Sequence, residues 1–312
     1  MKYQGTRLKD EIIIRELVTV HYFELSKDYR FAGERHDFWE LVYADKGDLI
    51  AETDSGRRVI KNGDIAFHKP DEWHTLMADG VSAPSAAIIS FKCGSPSMSG
   101  FDGMIFRAGS HQRTLLSKIL EEAEGAFLPP FDDLFAYKLV RREEAVFGSE
   151  QMIKLYLAEL LISILRDEKT PAATTLKRNL DSGLFGDICD FLAESVGGKI
   201  TLDDIARYAG ISKTAVKQLF REQAGCGACE YFTRMKIDRA KRYIREGDYN
   251  FTQIAELLGY DSIHYFSRQF RKYVNMSPTE YAGSIRALAG AASQFNRKTE
   301  KRIENDDIIK RA

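Results

Sequence analysis

Between Glu11 and about Phe91 the apolar residues come in short runs rich in Val, Ile, Phe and Tyr: "IIIRELVTVHYFEL", "FWELVYA", "VIKNGDIAFH" and "AAIISFKC". Gly, Asp and Asn punctuate them, and many short β-rich runs with turn residues between them predict a barrel or sandwich. After the break "CGSPSMSGFDG" the apolar spacing becomes helical, first over 111–124 and then, past Pro129 and Pro130, from about 134 onward. The strongest segment is "SEQMIKLYLAELLISILRD", where Ile153, Leu157, Leu160 and Ile164 repeat at four-three-four spacing and predict a long amphipathic helix. Met152, Tyr156, Leu161 and Leu165 widen its apolar face, which suits packing within the chain alone or the barrel on one side and a second chain on the other.

A polar stretch with a proline and no apolar period follows, and a second helical pattern starts near Leu180. The expected helices cover 184–195, 202–209, 213–223, 229–246, 251–258, 262–272 and about 278–285. The domain boundaries are therefore placed at 1–168 for the barrel with its helical segment, 169–180 for a linker, 181–288 for the helical domain and 289–312 for a charged tail.

One unit occurs twice in that domain: "IARYAGISKTAVKQLF" at 205–220 and "IAELLGYDSIHYFSRQF" at 254–270. Each begins with a capping signature, Thr201 with Asp204 and Asn250 with Gln253, in which a side-chain acceptor meets the orphan N–H groups of a helix start. Gly210 and Gly259 fall where the chain must turn sharply, which favours a residue free to take positive φ. Each copy thus reads as a helix-turn-helix. The second helices present Lys213, Thr214, Lys217, Gln218 and Arg221 in one copy, and Ile263, His264, Ser267, Arg268 and Arg271 in the other. Gln and Arg offer paired hydrogen bonds to base edges and Lys supplies charge toward phosphate, although any solvated helix face carries similar residues. Duplication across a long connecting helix favours DNA, because two reading helices can then sit about one turn, ~34 Å, apart.

Charge agrees with that placement. The net formal charge of −1 divides unevenly, with 14 Lys+Arg against 10 Asp+Glu over 201–288 and 25 against 32 over 1–200. A phosphate backbone is drawn to the basic part and not to the acidic one. No apolar run approaches the ~20 residues a spanning helix needs, and the N-terminus lacks the apolar middle of a secretory signal, so no membrane is expected and the cytoplasm is. The four cysteines are too sparse for a disulfide framework, and Cys226 and Cys229 form a lone C-x-x-C that reads as incidental rather than as a metal or redox pair.

The run from "ITLDDIARYAGISKTAVKQLF" through "IAELLGYDSIHYFSRQF" to "MSPTEY", covering about 180–286, resembles the DNA-binding domain of the AraC/XylS transcription regulators. The resemblance implies base reading by Thr214, Lys217 and Gln218 and by Ile263, His264, Ser267 and Arg268. Two departures stand out: "GCGACEYF" carries small residues before the connecting helix, and Ala282 takes the place of a usual Arg. "HDFWELVYADKG" and "NGDIAFHKPDEWHTL" resemble the cupin barrel often found upstream in such regulators. The implied fold class is α+β with two domains, a cupin-like barrel with a helical dimerisation segment and an all-α double helix-turn-helix.

The implied function is a sequence-specific transcription regulator controlled by a small-molecule effector in the barrel. A carbohydrate is the leading class of effector by the resemblance, and promoter DNA, a second copy of the chain and RNA polymerase are the other partners. His36, Glu40 and His74 are the candidate effector-binding residues. No catalytic residue, metal or cofactor is assigned. The alternative is a metal-dependent cupin enzyme using Glu34, His36, Glu40 and His74, with Glu34 standing where the cupin pattern expects His. Trp39, Trp73 and Tyr43 offer flat apolar faces for a ligand or for the core, and strand alternation separates His36, Phe38, Glu40 and Val42 from Trp39 and Tyr43 without saying which set points inward.

Overall fold

The computed structural model describes residues 3–133, 137–168 and 184–287. The expected linker at 169–180 and the expected tail at 289–312 lie outside the described residues. The described residues form two compact units, one N-terminal and one C-terminal.

The N-terminal unit pairs a five-stranded antiparallel sheet with a three-stranded one. Its strands are β1 (Glu16–Glu24), β2 (Trp39–Lys46), β3 (Leu49–Thr53), β4 (Gly56–Ile60), β5 (Asp64–His68), β6 (His74–Ala78), β7 (Ser85–Lys92) and β8 (Ile105–Arg107). The larger sheet has the order β1-β7-β2-β5-β8, and the smaller one β4-β3-β6. Central strand β2 is buried on both faces, and its register settles the question of parity. Leu41 lies opposite Ile89 and Phe67, while Glu40 lies opposite Ser90 and His68. Odd positions Trp39, Leu41 and Tyr43 join a cluster with residues of the two helices of this unit. Even positions Val42 and Ala44 join Leu49, Ile60 and Leu76 inside the barrel. Trp39 and Tyr43 are therefore core residues beneath helices and do not face the interior.

Helix α1 (Ser110–Ala126) and helix α2 (Ser149–Glu168) form that outer layer. The row Ile153, Leu157, Leu160 and Ile164 is fully buried, each side chain contributing about 1.5–3 kcal/mol by leaving water. Of the second row, Leu161 is buried and Met152, Tyr156 and Leu165 are half-buried. Gln112 on α1 locks the pair by donating to Ser163 and Asp167 on α2, at 3.2 and 2.9 Å.

The helix expected from about 134 is absent over 137–148. Leu128 N–H donates to Val140 O and Arg142 N–H to Ala126 O, so this segment runs along the end of α1 and its backbone groups are satisfied by tertiary pairing. Gly148, at φ +79°, then redirects the chain into α2. Strand β8 is a further departure, since "IFR" follows a Gly/Ser-rich break and is too short to show a period.

The C-terminal unit is all helix, with α3 (Leu184–Glu194), α4 (Leu202–Ala209), α5 (Lys213–Ala224), α6 (Ala228–Glu246), α7 (Phe251–Leu257), α8 (Ile263–Val274) and α9 at 278–287. These match the expected bounds to within about two residues. Two cores result, one gathering Ile188, Leu192, Ile205, Val216 and Phe220 and the other Ile237, Ile254, Leu258, Phe266 and Phe270.

Candidate functional site

Both copies of the duplicated unit are built from the same local interactions. Thr201 accepts from Asp204 N–H at 3.3 Å while the Asp204 carboxylate accepts from Thr201 N–H at 2.9 Å. Asn250 and Gln253 repeat the exchange at 3.0 and 2.9 Å. The second helices carry their own caps, Ser212 and Ser262, which accept from Ala215 and Tyr265 N–H at 3.2 Å each. These serines were legible as cap residues, each one position ahead of its helix, but Gly210 and Gly259 draw attention first. Both glycines sit at φ +65°.

The polar faces project as the periodicity requires. Lys213, Thr214, Lys217, Gln218 and Arg221 are all exposed on α5, with Val216 and Phe220 buried on its opposite side. On α8, His264, Arg268 and Arg271 are exposed, whereas Ile263 and Ser267 are half-buried. The two faces differ in how they are held. Lys213 is ion-paired to Asp203 and Gln218 donates to Glu222 at 2.8 Å, while the Arg268 guanidinium lies 5.9 Å from the Tyr265 ring centroid. Cys226 is half-buried in the turn ahead of α6 and Cys229 is exposed in its first turn, both as free thiols.

Lys236 on α6 joins the two halves and was not singled out from sequence. Its ammonium donates to Gly198 O and Leu258 O at 2.6 Å each and lies 5.0 and 5.3 Å from the ring centroids of Phe232 and Tyr260. Burial pulls its pKa down, with Lys199 adding to the effect. The available signal was a lysine on the apolar stripe of Phe232, Ile237 and Ala240. Beside it, Gly259 approaches so closely that a Cβ there would lie 2.5 Å from Gly197 O, whereas a Cβ at Gly210 would meet open space.

A second constellation lies inside the N-terminal unit. Glu34 and His74 oppose each other across an antiparallel bridge and exchange N–H···O bonds of 2.9 and 3.0 Å, which puts both side chains on one face. Glu40 reaches the same place from β2. His74 Nε2 lies 3.4 Å from Glu40 Oε1, and His36 Nε2 lies 3.8 Å from Glu40 Oε2. Both nitrogens are buried and neither makes a hydrogen bond. The other ring nitrogens are held by backbone, His36 Nδ1 by Phe38 O at 3.0 Å and His74 Nδ1 by Glu72 O at 3.1 Å. Ser90 donates to Glu40 Oε2 at 3.4 Å and in turn accepts from Thr19 at 2.9 Å.

His68 stacks on His74 with ring centroids 4.1 Å apart, and its Nδ1 faces the Glu72 carboxylate at 3.3 Å. His68, Glu72 and Ser90 are the members that sequence reasoning missed. Alternation puts His68 on the same face of β5 as Ala66, a signal available in the sequence, but nothing there reveals Ser90 opposite Glu40. Burial pushes the Glu40 carboxyl up, yet His36 and His74 outweigh it and hold the group well below the ordinary carboxylate range. For His74 burial acts downward and the Glu40 carboxylate prevails, pushing it to about 8. Glu34 is raised by burial and by the Glu40 charge beside it.

The residues fit a metal ion on structural grounds. One ligand atom from each of Glu34, His36, Glu40 and His74 lies within 4.8 Å of all the others. Buried imidazole nitrogens without hydrogen bonds are the atoms such an ion would satisfy.

Each unit has a counterpart among known families. A helix-turn-helix domain model matches residues 205–284, and an AraC-like ligand-binding domain model matches 18–92. The chain is 21% identical over 287 residues to the HTH-type transcriptional regulator YfiF of Bacillus subtilis, across 90% of this chain and 88% of that protein. The MmsAB operon regulatory protein of Pseudomonas aeruginosa is 21% identical over 282 residues, covering 87% of this chain and 83% of its own. The HTH-type transcriptional activator RhaR of Klebsiella pneumoniae is 23% identical over 273 residues, covering 83% and 90%. These alignments span most of each chain, and the two parts of an AraC-type transcription regulator are both present in this one, an AraC-like ligand-binding domain followed by a helix-turn-helix domain.

Proposed function

We propose that α5 and α8 are the two recognition helices, reading base edges in successive major grooves of promoter DNA, and that a small ligand held by His36, Glu40 and His74 controls the regulator. The observation that carries the DNA part is the duplicated construction. Two capped helices turn through glycines of equal φ and present exposed Lys217 and Gln218 in one half, and His264 and Arg268 in the other. Thr214 joins the first set. Half-buried Ile263 and Ser267 contribute at the edge of the second, Ile263 by apolar contact of the kind a thymine methyl offers. Lys213, Arg221 and Arg271 supply charge toward phosphates.

The ligand would act by binding one state of the chain better than another and so changing the half-sites it can span. Pairing of two chains through the helical segment around α2, where Leu155 is 54% exposed, belongs to the same proposal, as does contact with RNA polymerase. The relatives named above are regulators, which favours this function over the cupin-enzyme alternative.

The test is selection of bound genomic fragments by the full-length chain at ~150 mM salt, followed by footprinting of the best site. A discrete footprint over two adjacent major grooves per chain is expected. Equal retention of all fragments would refute sequence reading by the pair.

A further inference from the structure

The interior of the N-terminal unit holds an unusual arrangement for a pocket that takes an organic effector. Two imidazoles and two carboxylates converge on one point, and the imidazoles turn Nε2 toward it. His36 Nδ1 and His74 Nδ1 each face a backbone carbonyl oxygen, Phe38 O and Glu72 O, which can only accept. Each Nδ1 therefore carries a proton, and Nε2 is the atom that each ring offers to the cluster, as a lone pair once a cation displaces any second proton. Both Nε2 atoms are buried, make no hydrogen bond and face Glu40 across 3.8 Å from His36 and 3.4 Å from His74. Ligand atoms about 2.0–2.2 Å from a first-row metal ion are separated from their neighbours by roughly 3–3.5 Å, and from opposed ones by about 4.2 Å. The 3.4 and 3.8 Å gaps fall in that range, and all four ligand atoms lie within 4.8 Å of one another, so a small inward shift would close the set on an ion.

The outer contacts follow the same logic. Carbonyl partners on Nδ1 fix ring orientation and tautomer, as they do around metal-bound imidazoles. Ser90 orients the Glu40 carboxylate and Thr19 orients Ser90. Charge also closes, because two carboxylates and two neutral imidazoles balance a divalent cation. The mixed nitrogen and oxygen set suits zinc, nickel, cobalt or iron better than calcium or magnesium, which take oxygen alone.

We propose that Glu34, His36, Glu40 and His74 bind one divalent first-row transition-metal ion, and that this ion, in place of a carbohydrate, is the ligand of the barrel. The binding site stands on the geometry; the regulatory part rests on the function proposed above.

The experiment uses untagged full-length chain, stripped with chelator and titrated with Co²⁺ and Zn²⁺, read by elemental analysis after dialysis and by the visible absorption of bound Co²⁺. One ion per chain with an apparent Kd below about a micromolar is expected. His36→Ala and His74→Ala should weaken binding at least 100-fold and abolish the Co²⁺ bands. Exposed His111→Ala should leave both unchanged.

Trp39 and Trp73 lie in the same unit, so their fluorescence reports whether a variant has folded. Half-buried Glu34→Gln gives a milder second variant, expected to weaken binding and shift the Co²⁺ bands without unfolding. Wild-type binding no tighter than that of the His36→Ala/His74→Ala double variant would overturn the site, as would bands unchanged in Glu34→Gln and His74→Ala alike. Anisotropy of a labelled promoter fragment separates the two parts. Stoichiometric metal with unaltered DNA affinity keeps the site and overturns its regulatory role, whereas no sequence preference with or without metal defeats the regulator function alone.

Discussion

Replacing Lys236 by Met keeps the stem of the side chain and removes the ammonium that ties the first helix-turn-helix to the second. Two charge-assisted hydrogen bonds of 2.6 Å are lost, at about 1.5–3 kcal/mol each, and the carbonyls of Gly198 and Leu258 lose their donor. Against this stands the cost of keeping an ammonium at 7% exposure, which the methionine no longer bears. The net expectation is a loss of about 2–4 kcal/mol, confined to the C-terminal unit.

Urea unfolding of the full-length chain can test that, because both tryptophans belong to the N-terminal unit. With a slope of about 1.5 kcal/mol per molar urea, the transition seen by far-UV circular dichroism but not by tryptophan fluorescence should fall by roughly 1.3–2.7 M. The fluorescence transition should stay in place. A circular dichroism midpoint that does not move would show that the two bonds merely offset burial. Equal movement of both transitions would show that the units unfold together and that confinement to one is wrong.

Four further outcomes follow from the same structure. Gly210→Ala should cost about 1–2 kcal/mol from positive φ alone, while Gly259→Ala should cost at least ~1 kcal/mol more, because its Cβ meets Gly197 O; equal losses in denaturant melts would contradict the close approach. Arg268→Ala is expected to weaken promoter binding by ~1–3 kcal/mol and to relax sequence preference, and unchanged selectivity in a binding-site selection would remove Arg268 from the reading set. Lys217→Ala should do the same through α5, and a loss confined to one of the two variants would mean that a single helix reads bases. Asp204, held below its ordinary pKa by the Thr201 hydroxyl and N–H, stabilises the α4 cap above the unfolded carboxylate range near pH 4 and loses that contribution as pH falls through its folded pKa. Asp204→Asn should therefore flatten the acid limb of the C-terminal unit's stability profile, and an unaltered limb would assign acid sensitivity elsewhere.

Sequence carried the C-terminal unit well because its signals are local. Caps at Thr201 and Asn250, glycines at the turns and a 3.6-residue apolar period each act within one or two turns of helix, so bounds and exposed faces were legible from neighbours in the chain. The exposed faces of α5 and α8 were legible for the same reason, except that Ile263 and Ser267 are half-buried, a matter of how α8 packs rather than of its period. The N-terminal unit is specified at longer range. Alternation along β2 separated Glu40 from Trp39, but only the pairing of β2 with β5 and β7, and the cover of α1 and α2, could say which parity was interior. The segment 137–148 carries residues compatible with a helix, yet pairing with Ala126 and Leu128 decided its conformation. Likewise, His36, Glu40 and His74 could be named from their motif, whereas Ser90 could not, since its role exists only through strand register.

The two-sided burial of β2 has a mechanical consequence. Glu40 and Leu41 are successive residues on a stiff backbone, one turned to His36 and His74 and the other set opposite Ile89 and Phe67 in the cluster that includes the helical layer. A ligand that draws Glu40 inward by a few tenths of an ångström cannot do so without displacing Leu41, and a close-packed layer has no slack to absorb that motion. The strand is thereby built as a short lever, its inner arm the Glu40 side chain and its outer arm Leu41, packed in one cluster with residues of α1 and α2.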